Sequence, residues 1–140
     1  MSLKKVEISI GLIKLKSSFV CLKRTSQPYK NFIEFPGGKK ISNETAIECL
    51  RREIKEELNI KIDKLKFIAT IKHLYGDVLI TINIFNIYRY TGQIKSNENR
   101  DIVLFDAKCK LAKLPTHDRI LSLLKLPKLL KIITPSNLND

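Results

Sequence analysis

The segment from Glu34 to Ile60, EFPGGKKISNETAIECLRREIKEELNI, constrains the fold of this chain more than any other stretch. Pro36-Gly37-Gly38 stops an extended piece, and the residues that follow change to a helical period. At about 100° per residue, Ala46, Ile47, Leu50, Ile54 and Leu58 share one arc, which predicts a helix from Asn43 or Glu44 to Leu58 with that arc in the core. Glu53, Glu56 and Glu57, spaced i, i+3, i+4, project together and flank the apolar arc. Glu48, Arg51 and Lys55 point toward solvent.

Such a helix needs a surface to cover, and the rest of the chain supplies strands. Val6–Leu15 alternates and then runs apolar, and Phe19–Leu22 follows after a Lys16-Ser17-Ser18 turn. Arg24–Asn31 reads as a loop and Phe32–Phe35 as a short extended piece. Leu65–Leu74, Val78–Tyr90 and Ile102–Asp106 read as strands, with Gly76-Asp77 as a turn. A second helix is expected from Thr116 to about Leu126, ended by Pro127. Strands around one central helix, plus a C-terminal helix, predict an α+β fold built as an α/β/α sandwich on a mixed sheet. With 140 residues the expectation is one domain, its core about residues 4–126 and a tail at 127–140.

No apolar run approaches the roughly 20 residues of a membrane span. The N-terminal MSLKKVEISIGLIKL is broken by charge and reads as a strand rather than a signal peptide. Cys21, Cys49 and Cys109 are odd in number and widely spaced, which predicts a reduced, cytoplasmic protein without a cysteine-built zinc site. His73 and His117 are the two histidines and have no metal-ligand spacing. A net charge of +12, from 26 Lys and Arg against 14 Asp and Glu, favours anionic partners or simply solubility. Against that background the three clustered glutamates have two readings. They form a charged face neutralised by Arg51, Arg52 and Lys55, or they hold a hard divalent cation that relieves their mutual repulsion.

The spacing of the whole segment bears on this choice. Gly38, five residues, Glu44, seven residues, then Arg52-Glu53-Ile54-Lys55-Glu56-Glu57-Leu58-Asn59-Ile60 resembles the Nudix box. The departure is Asn59, where the family has Gly; both residues accept the left-handed conformation a helix end requires. Glu34-Phe35-Pro36-Gly37-Gly38, Glu98 and the Leu114-Pro115-Thr116-His117-Asp118 stretch extend the resemblance to the MutT type, over about residues 4–126.

The resemblance implies a Nudix fold and a Mg²⁺-dependent hydrolase, with Mn²⁺ as the alternative ion. The MutT type implies attack on the β-phosphorus of 8-oxo-dGTP, giving the monophosphate and pyrophosphate, as part of nucleotide-pool sanitation. On that likeness Glu53, Glu56 and Glu57 bind metal together with the Gly37 carbonyl, and Glu98 is a further candidate ligand. The general base is Glu53 or Glu98, while Glu44 and Arg52 orient the loop and helix. Lys23 faces the phosphates, with Arg24 as a substitute, and Glu34, Phe35, Gly38 and Asp118 bind the nucleotide. Asp118 reads the base edge or else caps the second helix, and His117 lines the base pocket beside it. Cys49 is expected to pack, and Tyr75, Tyr88 and Tyr90 to be strand residues. The partner implied is a free nucleotide met by a monomer, with no membrane and with nucleic acid not favoured. Two alternatives carry other predictions: a Nudix hydrolase of another triphosphate, dinucleoside polyphosphate or capped RNA, and a non-catalytic nucleotide- or RNA-binding domain.

Overall fold

The computed structural model describes residues 3–97, 99–106 and 108–123. Strands β1 (Lys4–Leu15), β2 (Ser18–Lys23), β3 (Ile33–Glu34) and β4 (Gly37–Lys39) precede helix α1 (Ala46–Leu58). The long hairpin β5 (Lys61–Tyr75) and β6 (Val78–Thr91) follows, then β7 (Ile102–Phe105), and residues 117–123 are helical. The strands join in the order β3-β2-β1-β6-β5, with β4 also on β1 and β7 also on β2. β1 and β6 run parallel, from Lys4 opposite Val78 to Ile13 opposite Ile87, and the other pairings of these strands are antiparallel.

Two apolar clusters cover opposite faces of this mixed sheet. Ile10 and Leu12 of β1 and Ile82 and Ile84 of β6 pack with Phe35, Phe105 and Ile120 on one face. Ile13, Phe85 and Ile87 pack with Leu50, Ile54 and Leu58 of α1 on the other. Side chains alternate along a strand, so a strand covered on both faces must be apolar without interruption. That is why Ser9–Ile13 is buried residue after residue. The layers form the expected α/β/α sandwich, with α1 and the 117–123 helix on opposite sides.

Several boundaries move. Helix α1 starts at Ala46, because Thr45 closes a capping box with Glu48: the Thr45 side chain accepts from Glu48 N–H and the Glu48 carboxylate from Thr45 N–H. Asn59 ends the helix at φ 60° and ψ 32°, the left-handed conformation expected of that position. Pro36-Gly37-Gly38 is more than a stop, since Gly37–Lys39 pairs with Ile8–Ile10 as β4. Strand β4 covers the Cys49–Glu57 flank of α1, so the buried arc is rotated away from Ile47, which is 41% exposed rather than in the core. Cys49 packs as expected, its Sγ–H directed at the Gly38 carbonyl. The tail 127–140 and the end expected for the second helix, residues 124–126, lie outside the described residues.

Candidate active site

The carboxylates of α1 meet the backbone of β4. Gly37 has φ 146°, and a Cβ there would strike the Ser9 carbonyl and Ile10 Cα of β1, so no other residue fits this conformation and this space. A Cβ on Gly38 would overlap the Glu53 carboxyl group. The Gly37 N–H donates to Glu57 Oε1 at 2.8 Å. Gly38 thus lets the strand backbone lie directly on Glu53, while Gly37 lets the same strand close on β1 with its N–H turned to Glu57, one helical turn from Glu53.

Arg52 organises the approach to this contact. Its Nη2 and Nε donate to the two oxygens of Glu44 at 2.7 and 3.1 Å, a bidentate pair. Nη2 also donates to the Lys39 carbonyl at 3.0 Å, and Nη1 lies 2.9 Å from Glu53 and 3.5 Å from Glu56. Glu44 in turn accepts from Ile41 N–H at 2.9 Å. The Arg52 guanidinium, then the Ile41 N–H, hold the Glu44 carboxyl down at about 2. The loop between β4 and α1 is therefore fastened to the helix by charge.

A second arginine closes the other side. Glu57 is only 5% exposed, and its Oε2 accepts from Arg100 Nη1 at 2.9 Å. Arg100 Nη2 reaches Glu34 at 2.6 Å and Nε the Lys23 carbonyl at 3.0 Å, while Arg24 Nη1 binds the second Glu34 oxygen at 2.8 Å. Arg100 was not singled out in the sequence: it stands 43 residues from Glu57, and only tertiary folding brings the two together. Glu98 lies outside the described residues.

On the opposite side of Gly37 and Gly38 opens a cleft of about 450 Å³. Ile8, Ile80 and Ile82 form its floor, Phe35, Tyr75 and His117 stand among its walls, and Arg24, Glu34 and Lys39 add charge. Phe35 stacks on His117 with ring centroids 4.3 Å apart and planes 9° apart, and Phe105 meets the same imidazole edge-on at 4.7 Å. Among the described residues, neither ring nitrogen of His117 has a hydrogen-bond partner. Burial first, and Lys113 second, push the imidazole down to about 4, so it is neutral at pH 7. Asp118 is placed differently from its neighbour. Its carboxylate is 80% exposed, 3.5 Å from Lys113 Nζ, and is not among the residues lining the cleft. Nor does it precede the helix as a cap; Thr116 does, its carbonyl accepting from Ile120 N–H. Lys23 lines a separate, polar recess with Arg24, Lys30 and Asp101.

Among the described residues no three acidic, His or Cys side chains stand as a ready-made metal cage. Arg52 and Arg100 engage the carboxylates instead. The donors themselves are hard oxygens on one helix face, pressed against glycine backbone where a Cβ would not fit, and this set suits a divalent cation of the Mg²⁺ kind.

The fold is shared with solved structures. The MutT protein of Methanosarcina mazei Go1 superposes with a TM-score of 0.75 at 18% identity, covering 91% of this chain and 99% of that one. The family model of the NUDIX domain matches residues 6–118, and the chain belongs to this family as a MutT-like Nudix hydrolase. Among its curated relatives are two 8-oxo-dGTP diphosphatases. That of Proteus vulgaris is 31% identical over 67% of this chain and 86% of its own length. That of Buchnera aphidicola subsp. Schizaphis graminum is 36% identical over 69% and 73%.

Proposed function

We propose that this hydrolase is a Mg²⁺-dependent nucleoside triphosphate pyrophosphohydrolase that converts 8-oxo-dGTP to the monophosphate and pyrophosphate. The observation that carries the reading is the shared backbone of Gly37 and Gly38. One side of it touches Glu53 and Glu57, and the other forms part of an apolar cleft large enough for a nucleobase. A nucleotide with its base in the cleft extends its phosphates past β4 toward the carboxylates. The names of the relatives supply the particular base.

In this reading Glu53, Glu56, Glu57 and the Gly37 carbonyl hold the divalent ion, with Mn²⁺ as an alternative and Glu98 as a further ligand. When bound, the ion neutralises charge on the phosphate oxygens. Glu53 or Glu98 takes a proton from water, whose oxygen bonds to the β-phosphorus while the bond to the bridging oxygen of the α-phosphate breaks. That oxygen leaves with the nucleoside monophosphate, and pyrophosphate carries the oxygen from water. Glu44 and Arg52 keep the loop and Glu53 in register, and Lys23 and Arg24 attract the phosphate tail. Phe35 packs along the base, with Glu34 and Gly38 at the cleft and Asp118 reaching the base edge by turning inward from its exposed position. The protein acts as a single domain and a monomer, on free nucleotides, in the cytoplasm. Three free thiols support a reducing compartment, and no helix among the described residues is long and apolar enough to cross a membrane.

A side-by-side kinetic screen with Mg²⁺ tests the reading. 8-oxo-dGTP should be cleaved far more efficiently than dGTP, and in ¹⁸O-water the label should enter pyrophosphate. Equal rates on all triphosphates would remove the sanitation role and leave the hydrolase. Glu57→Gln should abolish turnover with the fold retained, and an active variant would remove the assignment of that carboxylate.

A further inference from the structure

Glu57 is a buried carboxylate whose charge is already answered. Gly37 N–H satisfies Oε1 and the Arg100 guanidinium satisfies Oε2. All three nitrogens of that guanidinium are in use, on Glu57, Glu34 and the Lys23 carbonyl, and its side chain is 11% exposed. A planar fork held at three points in a mostly dry site is a strong partner for a carboxylate. A dication held by Glu57 would share the carboxylate that Arg100 occupies, and two positive charges against one buried carboxylate repel each other.

The surroundings differ for the two arginines of the site. Arg52 is anchored by the bidentate Glu44 pair and the Lys39 carbonyl, so its hold on the loop does not depend on Glu53 or Glu56. Arg100 is the one whose carboxylates can change hands. If it withdraws, Glu34 keeps Arg24 on its other oxygen, and Glu57 keeps the Gly37 N–H. Release therefore strands neither acid. We propose that Arg100 is a positioning residue that serves as the counter-charge of Glu57 before metal loading, and that a divalent cation must displace it, so that Arg100 sets the cation affinity of the site. This rests on the reading of Glu57 as a metal ligand. Loading is then an exchange, one monocation leaving the carboxylate as one dication arrives.

The test measures Mn²⁺ binding without nucleotide, by the loss of the free-ion electron paramagnetic resonance signal, in the full chain and three variants. Arg100→Gln removes the competing charge and should bind Mn²⁺ on the order of tenfold more tightly, the scale expected for losing a charge-assisted hydrogen bond to one carboxylate. Arg100→Lys keeps charge but loses the fork and should fall between the two. Ion-free Arg100→Gln should melt at a lower temperature than the parent, and Mn²⁺ should raise its melting temperature by more. Unchanged or weaker Mn²⁺ binding in Arg100→Gln overturns the inference. Should that variant fail to fold, Arg100→Lys decides alone, with tighter binding supporting the exchange and unchanged or weaker binding overturning it. Glu57→Gln separates the two layers: if it binds Mn²⁺ as well as the parent, Glu57 is not a ligand and the reading beneath the inference fails. If Glu57→Gln loses binding while the Arg100 variants gain none, only the inference fails.

Discussion

Replacing His117 with Phe should change how stability depends on pH, by an amount the structure sets. The imidazole is 1% exposed and lies flat on Phe35, and among the described residues neither of its nitrogens has a partner. Burial and Lys113 lower its pKa from 6.5 to about 4, against a small opposing pull from Asp118. The fold therefore favours the neutral ring. Its contribution is complete above the unfolded value of 6.5, and it drains away as pH falls toward 4, because the unfolded chain takes up a proton that the native protein refuses. Integrated between those two values, the loss at pH 5 is about 2 kcal/mol, and at pH 7.5 it is close to zero. His117→Phe keeps a flat ring between Phe35 and Phe105 and removes the titration. Urea unfolding followed by circular dichroism, run on both proteins from pH 7.5 to pH 5, cancels the groups they share. The difference in unfolding free energy should move about 2 kcal/mol in favour of His117→Phe across that range. A difference constant to within about 0.5 kcal/mol would refute the reasoning, since the ring would then titrate alike in both states.

Two further substitutions probe the contacts around α1. Gly38→Ala drives a methyl group into the Glu53 carboxyl, and a displacement near 1 Å at a reacting centre costs on the order of a hundredfold in rate. Turnover should fall by that factor while the far-ultraviolet spectrum is unchanged, and an active variant would separate Glu53 from the chemistry. Asn59→Ala should lose about 1 kcal/mol of unfolding free energy and Asn59→Gly less than about 0.5 kcal/mol, because φ 60° is tolerated by Gly and Asn but strained for Ala. A chemical denaturation series on the three proteins reads this directly.

Where local pattern determined the outcome, the sequence was legible. The period of α1, the alternation in β1 and β6 and the left-handed Asn59 all follow from residues within one turn or one strand of each other. The pairing of Arg52 with Glu44 and Glu53 is legible for the same reason, since all three belong to one short motif. What escaped depends on partners distant in the chain. Strand β4 exists because Gly37–Lys39 finds Ile8–Ile10, and Gly-rich residues have no strand propensity of their own. Ile47, expected on the core arc, faces outward because β4 covers the Cys49 flank of α1, which periodicity alone does not report. Arg100 reads as one more basic residue until Glu34 and Glu57 close around it. Asp118 and His117 are adjacent, yet one faces water and the other the cleft; which residue of such a pair turns inward depends on the docking of residues 112–114 beside Ile33.

The attachment of α1 at both extremities bears on how finely its carboxylates are aimed. At the start, Ser9 Oγ donates to the Ala46 carbonyl at 2.8 Å, and Thr45 and Glu48 satisfy the first N–H groups. At the finish, Lys95 and Asn97 N–H donate to the Leu58 and Glu57 carbonyls. A cylinder gripped at both ends cannot roll. For groups carried at a radius of about 6 Å, a roll of only 10° would sweep each carboxylate through about 1 Å. The segments 95–97 and 45–48 thus act as bearings that fix the azimuth of the helix, and residues that never approach a nucleotide govern the precision with which three glutamates are pointed.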